Sequence, residues 1–87
     1  MANECMLIVG VRSEHANMLR EMYKNIDFSF ITDQRKQTKP VNDISHFDRI
    51  INMTKFSSHL SHKAYRRHKG YCMVNGGLTS LKQAIEA

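Results

Sequence analysis

The feature that most constrains the fold of this chain is a short apolar run at residues 5–11, which contains no charged residue and is interrupted only by Gly10. An apolar run without polar alternation is typical of a β-strand that is buried on both faces, as in a parallel sheet. A chain of 87 residues has room for one domain. The run therefore predicts a small α/β domain in which other segments cover both sides of a sheet.

Helical periodicity follows this first strand. Leu19, Met22, Tyr23 and Ile26 recur at the i, i+3, i+4, i+7 spacing of one helix face. Ser13 stands before the pattern and is a residue type that caps helix N-termini. We therefore predict an amphipathic helix that is capped by Ser13 and buries this face.

Strand and helix patterns alternate along the rest of the chain. Apolar runs predict strands at 28–32, 49–53 and 71–74, a helix that runs from residue 57 or 58 to Lys69, and a last helix capped by Thr79 or Ser80. Such alternation is typical of parallel sheets. We expect one Rossmann-like or flavodoxin-like α/β domain over residues 1–87, with a four-stranded, mainly parallel sheet of order 2-1-3-4 and helices on both faces.

Positive charge is concentrated in the second half of the chain. Residues 1–48 contain six Lys or Arg and seven Asp or Glu, whereas residues 49–87 contain seven against one. No carboxylate side chain occurs between Asp48 and Glu86. A net charge of +5 favours anionic partners, which include nucleic acid, nucleotides and acidic proteins. The second half is therefore expected to carry the function.

Small and polar residues follow each predicted strand. Open parallel sheets bind ligands outside the carboxyl ends of their strands, and helix N-termini at that edge attract phosphate, so these residues are candidates for an anion site. The same residue types also cap helices and close turns, and this alternative stays open. The candidates for ligand binding are Gly10, Arg12, Ser13, Thr54, Lys55, Ser57, Ser58, His59, Asn75, Gly76 and Gly77.

The helix predicted to end at Lys69 is strongly basic. Its cations could follow a phosphate backbone, and Tyr65 and Tyr71 could stack on bases or pack in the core. A solvated helix face without a partner is the alternative. The predicted basic surface consists of His62, Lys63, Arg66, Arg67 and Lys69.

The sequence predicts no cofactor and no metal site. Neither GxGxxG nor GxxxxGK[ST] occurs. His59 and His62 are spaced for one helix face, but His68 falls on the opposite face and no carboxylate lies nearby. Ser58 and His59 are adjacent, and adjacent helix residues do not face each other, so we do not expect catalysis from them.

The two cysteines, Cys5 and Cys72, each lie in a predicted strand and lack CxxC spacing. We expect buried free thiols and a cytoplasmic protein. The sequence contains neither a secretory signal nor an apolar run long enough to span a membrane, and the basic helix lacks the bulky apolar face that membrane binding needs. A core this small would gain from burying a second face, which favours a homodimer.

Residues 48–77 resemble a small bacterial and phage domain family of unknown function. The positions that match its pattern are Asp48, Thr54, Ser58, His59, Lys63 and Lys69, with Gly10 at the exit of the first strand. The resemblance implies a Rossmann-like fold and a site near the Ser-His pair, and it implies no particular reaction. Residues 32–36 depart from the family pattern, which has a His-Asp-Gly type turn there; if that turn forms part of a site, an activity is lost or changed.

We therefore expect a non-catalytic binding module for a phosphate-bearing ligand, either nucleic acid or a nucleotide. It would use the carboxyl edge of the sheet and the basic helix at 58–69. Two alternatives from other classes remain. One is a regulatory or inhibitory protein–protein module that docks on an acidic partner. The other is a small enzyme centred on Ser58 and His59.

Overall fold

The order of the strands sets out the architecture. The computed structural model describes residues 3–31, 45–54, 63 and 65–87. The strands β1 (Glu4–Val9), β2 (Ile26–Ile31), β3 (Arg49–Met53) and β4 (Tyr71–Val74) form one sheet of order β2-β1-β3-β4, and all of its pairings are parallel. Two helices that lie entirely within the described residues accompany it, α1 (Ser13–Met22) and α2 (Leu78–Glu86). The predicted α/β class and strand order are confirmed.

The apolar run that predicted a doubly covered strand forms β1, and its side chains alternate between two cores. Met6 and Ile8 belong to one core, and Leu7 and Val9 belong to the other. All four side chains are at most 1% exposed. β1 lies between β2 and β3, so its position at the centre of the sheet follows from its composition.

Both described helices pack against the same face of the sheet. α1 contributes Ala16 and Leu19 to this face, and α2 contributes Leu81 and Ile85. Neither helix is long and apolar enough to cross a membrane. The buried members of this first core are Met6, Ile8, Val11, Ala16, Leu19, Ile51, Met53, Val74, Leu81 and Ile85.

The opposite face is covered by the segments that lead into β3 and β4. Phe47 and Tyr65 pack there on Leu7, Val9 and Ile50. The connections β1-to-β2 and β3-to-β4 cross the sheet in opposite directions. Because parallel crossovers are right-handed, α1 in the first connection and Tyr65 in the second lie on opposite faces. This second core therefore covers the side of β1 that α1 and α2 leave open.

Several element boundaries differ from those predicted, and β2 spans Ile26–Ile31 instead of residues 28–32. β1 ends at Val9, and α1 ends at Met22, so Ile26 opens β2 instead of closing the helix. The backbone N–H of Tyr23 donates to Leu19 O at 2.9 Å, and a tight turn then returns the chain to the sheet. Met22, predicted to be on the buried face, is 47% exposed. β3 and β4 have the predicted bounds.

The environment of the cysteines was predicted only in part. Both thiols are free, Cys5 is half-buried, and Cys72 is exposed, so the expectation of two buried thiols is wrong for Cys72. Cys72 lies on the edge strand β4, and α2 packs on Val74 without reaching it.

Candidate functional site

The carboxyl edge of the sheet brings together the ends of β1, β3 and β4. The Thr54 backbone N–H donates to Val74 O at 3.0 Å, which joins the ends of β3 and β4. The Thr54 hydroxyl lies 3.3 Å from Val74 O and 3.5 Å from Asn75 Oδ1. The described part of this edge contains seven of the predicted ligand-binding residues: Gly10, Arg12, Ser13, Thr54, Asn75, Gly76 and Gly77.

A cleft of about 120 Å³ opens at this edge, between the start of α1 and the start of α2. An apolar cavity of about 150 Å³ can hold benzene, so a cleft of this size suits one ring-sized group. Its walls are mainly apolar. The described residues that line it are Gly10, Val11, Arg12, His15, Met53, Gly77, Leu78 and Leu81.

Both helices that begin at the cleft lack a capping side chain. The N-cap of α1 is Arg12 and that of α2 is Gly77, and neither makes a side-chain capping hydrogen bond. A guanidinium has no acceptor atom and glycine has no side chain, so neither residue has a side-chain acceptor for the first-turn N–H groups. The first helical bonds are Ala16 N–H to Arg12 O and Leu81 N–H to Gly77 O. Donors and the positive end of each helix dipole therefore lie at the cleft.

The predicted caps are wrong because burial decides where each helix begins. Ser13 is the first helical residue of α1, and Thr79 and Ser80 lie inside the first turn of α2. The side chain of Val11 is 3% exposed, so the chain stays extended until Arg12 to place it in the core. Leu81 must face the core from the first turn of α2, which requires the helix to begin before Thr79.

Two glycines shape the cleft in different ways. Gly10 has a φ of 88°, which L-residues with a side chain rarely adopt, and its N–H donates to Ile31 O at 2.8 Å. A Cβ on Gly77, in contrast, would meet no atom within 4 Å. The backbone requires glycine at position 10, whereas Gly77 leaves open space at the cleft.

Arg12 is the cation at the cleft. Its Nη1 lies 3.9 Å from Glu14 Oε1, and the two side chains are 69% and 72% exposed. A long, exposed pair of this kind adds little stability, so the guanidinium is free to meet another anion. His15 lines the same cleft and was not predicted as a site residue. It follows Arg12 by three positions on α1, a spacing that places both on one side of the helix.

Several predicted site residues lie outside the described residues. They are Lys55, Ser57, Ser58, His59 and His62. Their part in the anion site stays a prediction, and so does the role of the Ser-His pair. Within the described ranges, no three His, Cys, Asp or Glu side chains are close enough to hold a metal ion.

The basic residues before β4 lie at the other end of the sheet. Arg66, Arg67 and Lys69 occupy turns that lead into the start of β4, so the predicted helix end at Lys69 is wrong. Gly70 packs on the backbone of Asp48, and a Cβ on it would also stand 2.9 Å from Arg49 Cα. The whole length of β4 separates these cations from the cleft, and a strand rises about 3.3 Å per residue. A compact ligand in the cleft would therefore not also reach them.

The two tyrosines near this turn are used by the fold. Tyr65 is 1% exposed in the second core, which excludes a stacking role for it. Tyr71 is half-buried, and its hydroxyl accepts a hydrogen bond from Asn52 Nδ2 at 2.9 Å. Asn52 is 1% exposed, and no described residue bonds its Oδ1. Sequence reasoning missed this buried amide because it lies inside a strand, between the apolar residues Ile51 and Met53.

Arg49, one of the cations in the acid-free half, holds three elements together at the amino edge. Its Nε and Nη2 donate to the Glu4 carboxylate at 2.7 and 3.2 Å. Its Nη1 and Nη2 also donate to Ala84 O and Ile85 O at 3.0 and 2.7 Å, in the last turn of α2. The Arg49 charge is therefore used within the fold.

Asp48, which matches the family pattern, also has a structural partner. Its Oδ2 accepts from the Cys5 N–H at 2.8 Å, and its own N–H donates to Cys5 O at 2.7 Å. These bonds fasten the start of β1 beside β3. Asp48 thus lies at the amino edge, away from the cleft.

Comparison of the chain with protein-family models, with curated proteins and with solved structures gave no match. The resemblance of residues 48–77 to the bacterial and phage domain family therefore stays a prediction, as do the homodimer and the cytoplasmic location. What points to a function is the geometry of the two edges of the sheet.

Proposed function

We propose that this protein is a binding module for a small phosphate-bearing ligand, such as a nucleotide, held in the cleft at the carboxyl edge. One observation carries the proposal. Two helices whose N-cap residues, Arg12 and Gly77, offer no side-chain acceptor begin at the same apolar cleft. Uncapped helix N-termini bind phosphate through their free N–H groups and their dipoles.

Different lining groups would contact two different parts of the ligand. A phosphate would accept hydrogen bonds from the first-turn N–H groups, and the exposed Arg12 would add charge from the rim. A ring-sized apolar group would lie against Met53, Leu78 and Leu81. The volume of the cleft, about 120 Å³, sets the size of that group.

Binding fits this lining better than catalysis does. Among the described lining residues, His15 is the one candidate for a general base, and no Ser, Cys, Asp or Glu lines the cleft with it. Nucleophilic catalysis needs a nucleophile within hydrogen-bond reach of its base. A binding role needs only the donors, the charge and the apolar wall that are present.

The direct test is a thermal-shift and calorimetric screen of nucleoside monophosphates against the matching unphosphorylated nucleosides. A ligand that binds only the folded state adds about 2.7 kcal/mol at 100 times its Kd. We expect stabilisation by nucleotides and none by nucleosides at the same concentration. Inorganic phosphate should bind more weakly than a nucleotide because it leaves the apolar wall empty.

Three variants assign the binding to the cleft. Gly77→Leu places a side chain in the open space and should abolish binding, whereas Arg12→Gln should weaken it several-fold. Glu14→Gln removes a negative charge beside Arg12 and should strengthen it. Lys24→Gln is the matched control, because it removes an exposed cation from the opposite edge.

The proposal fails if no nucleotide stabilises the protein. It also fails if Gly77→Leu and Arg12→Gln, both shown to be folded by circular dichroism, bind as tightly as the wild type.

A further inference from the structure

A second positively charged surface lies at the amino edge, away from the cleft. We call it the basic turn and define it as Lys63, Arg66, Arg67 and Lys69, all of which are exposed. Among the described residues, the ion pairs are those of Arg12 with Glu14 and Arg49 with Glu4, so none of these four cations is neutralised. Unpaired cations this close in sequence raise the local potential and attract anions.

The nearest described carboxylates are already engaged. Asp48, beside Gly70, accepts a hydrogen bond from the Cys5 N–H, and Glu4 is paired with Arg49. The His68 ring is used within the turn, since the Gly70 N–H donates to its Nδ1 at 2.9 Å. The charge of the basic turn therefore comes from its two arginines and two lysines.

Backbone hydrogen bonds between Tyr65 and Tyr71 tie most of the basic turn to the fold. The His68 N–H donates to Tyr65 O at 2.9 Å, and the Tyr71 N–H donates to His68 O at 3.1 Å. The Ile50 N–H donates to Gly70 O at 3.0 Å, which fixes the end of the turn to β3. The buried ring of Tyr65 anchors its start. A preorganised backbone lowers the ordering cost of binding.

The residues around the basic turn favour a nucleic-acid duplex over a single strand as its ligand. Proteins that hold single strands combine cations with aromatic rings on which bases stack. Here Tyr65 is buried and the Tyr71 hydroxyl is bonded inward to Asn52. Cations beside which the described residues place no exposed tyrosine ring match the phosphate backbone of a duplex, which is bound without sequence readout.

We propose that the basic turn binds the phosphodiester backbone of double-stranded nucleic acid. Arg66 and Arg67 can each donate two parallel bonds to a phosphate, and Lys63 and Lys69 add point charges. This surface is independent of the nucleotide cleft, since the two lie at opposite edges of the sheet. Each can fail without the other.

The test is fluorescence anisotropy with labelled duplex DNA, duplex RNA and single-stranded DNA of one length and of mixed sequence, over a range of salt. With about four phosphates neutralised, the slope of log K against log salt on duplex DNA should be about −3 to −4. We expect single-stranded DNA to bind at least several-fold more weakly. Equal binding of DNA and RNA duplexes would identify the shared phosphodiester backbone as the ligand. A preference for one duplex would show whether DNA or RNA is bound.

Matched double variants separate a local surface from net charge. Arg66→Gln with Arg67→Gln should reduce the slope by about 2, whereas Lys24→Gln with Lys82→Gln removes the same charge elsewhere and should change it much less. Lys63→Gln with Lys69→Gln provides a second pair if the arginine variant does not fold.

Three results would overturn the proposal. One is an equal loss of affinity in the turn and control variants. Another is single-stranded DNA that binds as tightly as the duplex. The third is polyglutamate that competes as well as the duplex at equal charge, which would indicate an acidic protein as the partner.

Discussion

The two edges of this small sheet use charge in opposite ways. At the amino edge, the side chains of Arg49, Glu4 and Asp48 are all bonded to other parts of the fold. At the carboxyl edge, the N-caps of both described helices lack a capping bond, and Arg12 has only a loose, exposed pair with Glu14. These inner charges of the amino edge stabilise the domain, whereas Arg12 at the carboxyl edge contributes little to it.

This difference shows why charge counts alone mislead. Arg49 and Arg66 both belong to the acid-free half of the chain, yet Arg49 makes four hydrogen bonds within the fold while Arg66 is exposed and unpaired among the described residues. The amino edge thus contains two layers. Its inner charges hold elements together, and its outer cations form the basic turn.

The largest expected effect comes from a pair of glycines, one at each edge. Gly70→Ala would drive a methyl group into the backbone of Asp48 and Arg49, so we expect a loss of about 3 kcal/mol and a fall in Tm of more than about 10 °C. Gly77→Ala meets no atom within 4 Å and should cost less than about 1 kcal/mol. Thermal and urea unfolding followed by circular dichroism measure both. Equal losses would remove the distinction between the edges.

A pair of arginines gives the next effect. Arg49→Met keeps much of the apolar stem but loses the Glu4 pair and the bonds to α2, so we expect a loss of about 2 kcal/mol. Arg12→Met removes the same charge at the carboxyl edge and should change stability by less than about 0.5 kcal/mol. The midpoints of urea unfolding at one salt concentration measure the stability losses of both variants. If Arg12→Met proves as costly as Arg49→Met, Arg12 is part of the framework and not free for a ligand.

The smallest effect concerns Tyr23, which also lies at the amino edge. Its hydroxyl donates to Glu86 Oε2, and this bond, with burial and the Glu86 charge, raises the Tyr23 pKa above its ordinary value of 10.0. The fold therefore favours the neutral phenol. The resulting stability is present below pH 10 and is lost as pH rises through the raised pKa.

Tyr23→Phe should consequently change stability little at pH 7, by less than about 0.5 kcal/mol, and should reduce the loss between pH 9 and 11. Urea unfolding at both ends of this range measures it. Glu86→Gln is the matched control, since it removes the charge but leaves an acceptor oxygen, and it should give an intermediate result. Identical alkaline losses in wild type and Tyr23→Phe would contradict the assignment.

The fold was largely predictable because its strongest signals are local. The unbroken apolar run marked β1 as doubly buried, and the alternation of strands and helices gave the parallel order of the sheet. The start of each helix was not predictable from capping residues. Ser13 is a good cap by type, but the burial of Val11 places the cap at Arg12 instead.

The sequence predicted which edge of the sheet holds the candidate site, but not which residues are bonded to or packed on one another. Gly10, Arg12 and Gly77 were assigned to one edge by strand order alone, and they line one cleft. The pairing of Arg49 with Glu4 is invisible in the sequence because the two residues are far apart along the chain. The approach of Gly70 to Asp48 is hidden for the same reason, and so was the end of the basic helix.

The central position of β1 also determines the order in which this domain can mature. Met6 is paired on one side with Phe28 and on the other with Arg49, so one neighbour is synthesised much later than the other. Until β3 is synthesised, Leu7 and Val9 lack the cover of Phe47 and Ile50, and the cover of Tyr65 comes later still. A nascent chain that stops short of Arg49 therefore presents an open apolar strand edge, the kind of surface that aggregates or recruits chaperones.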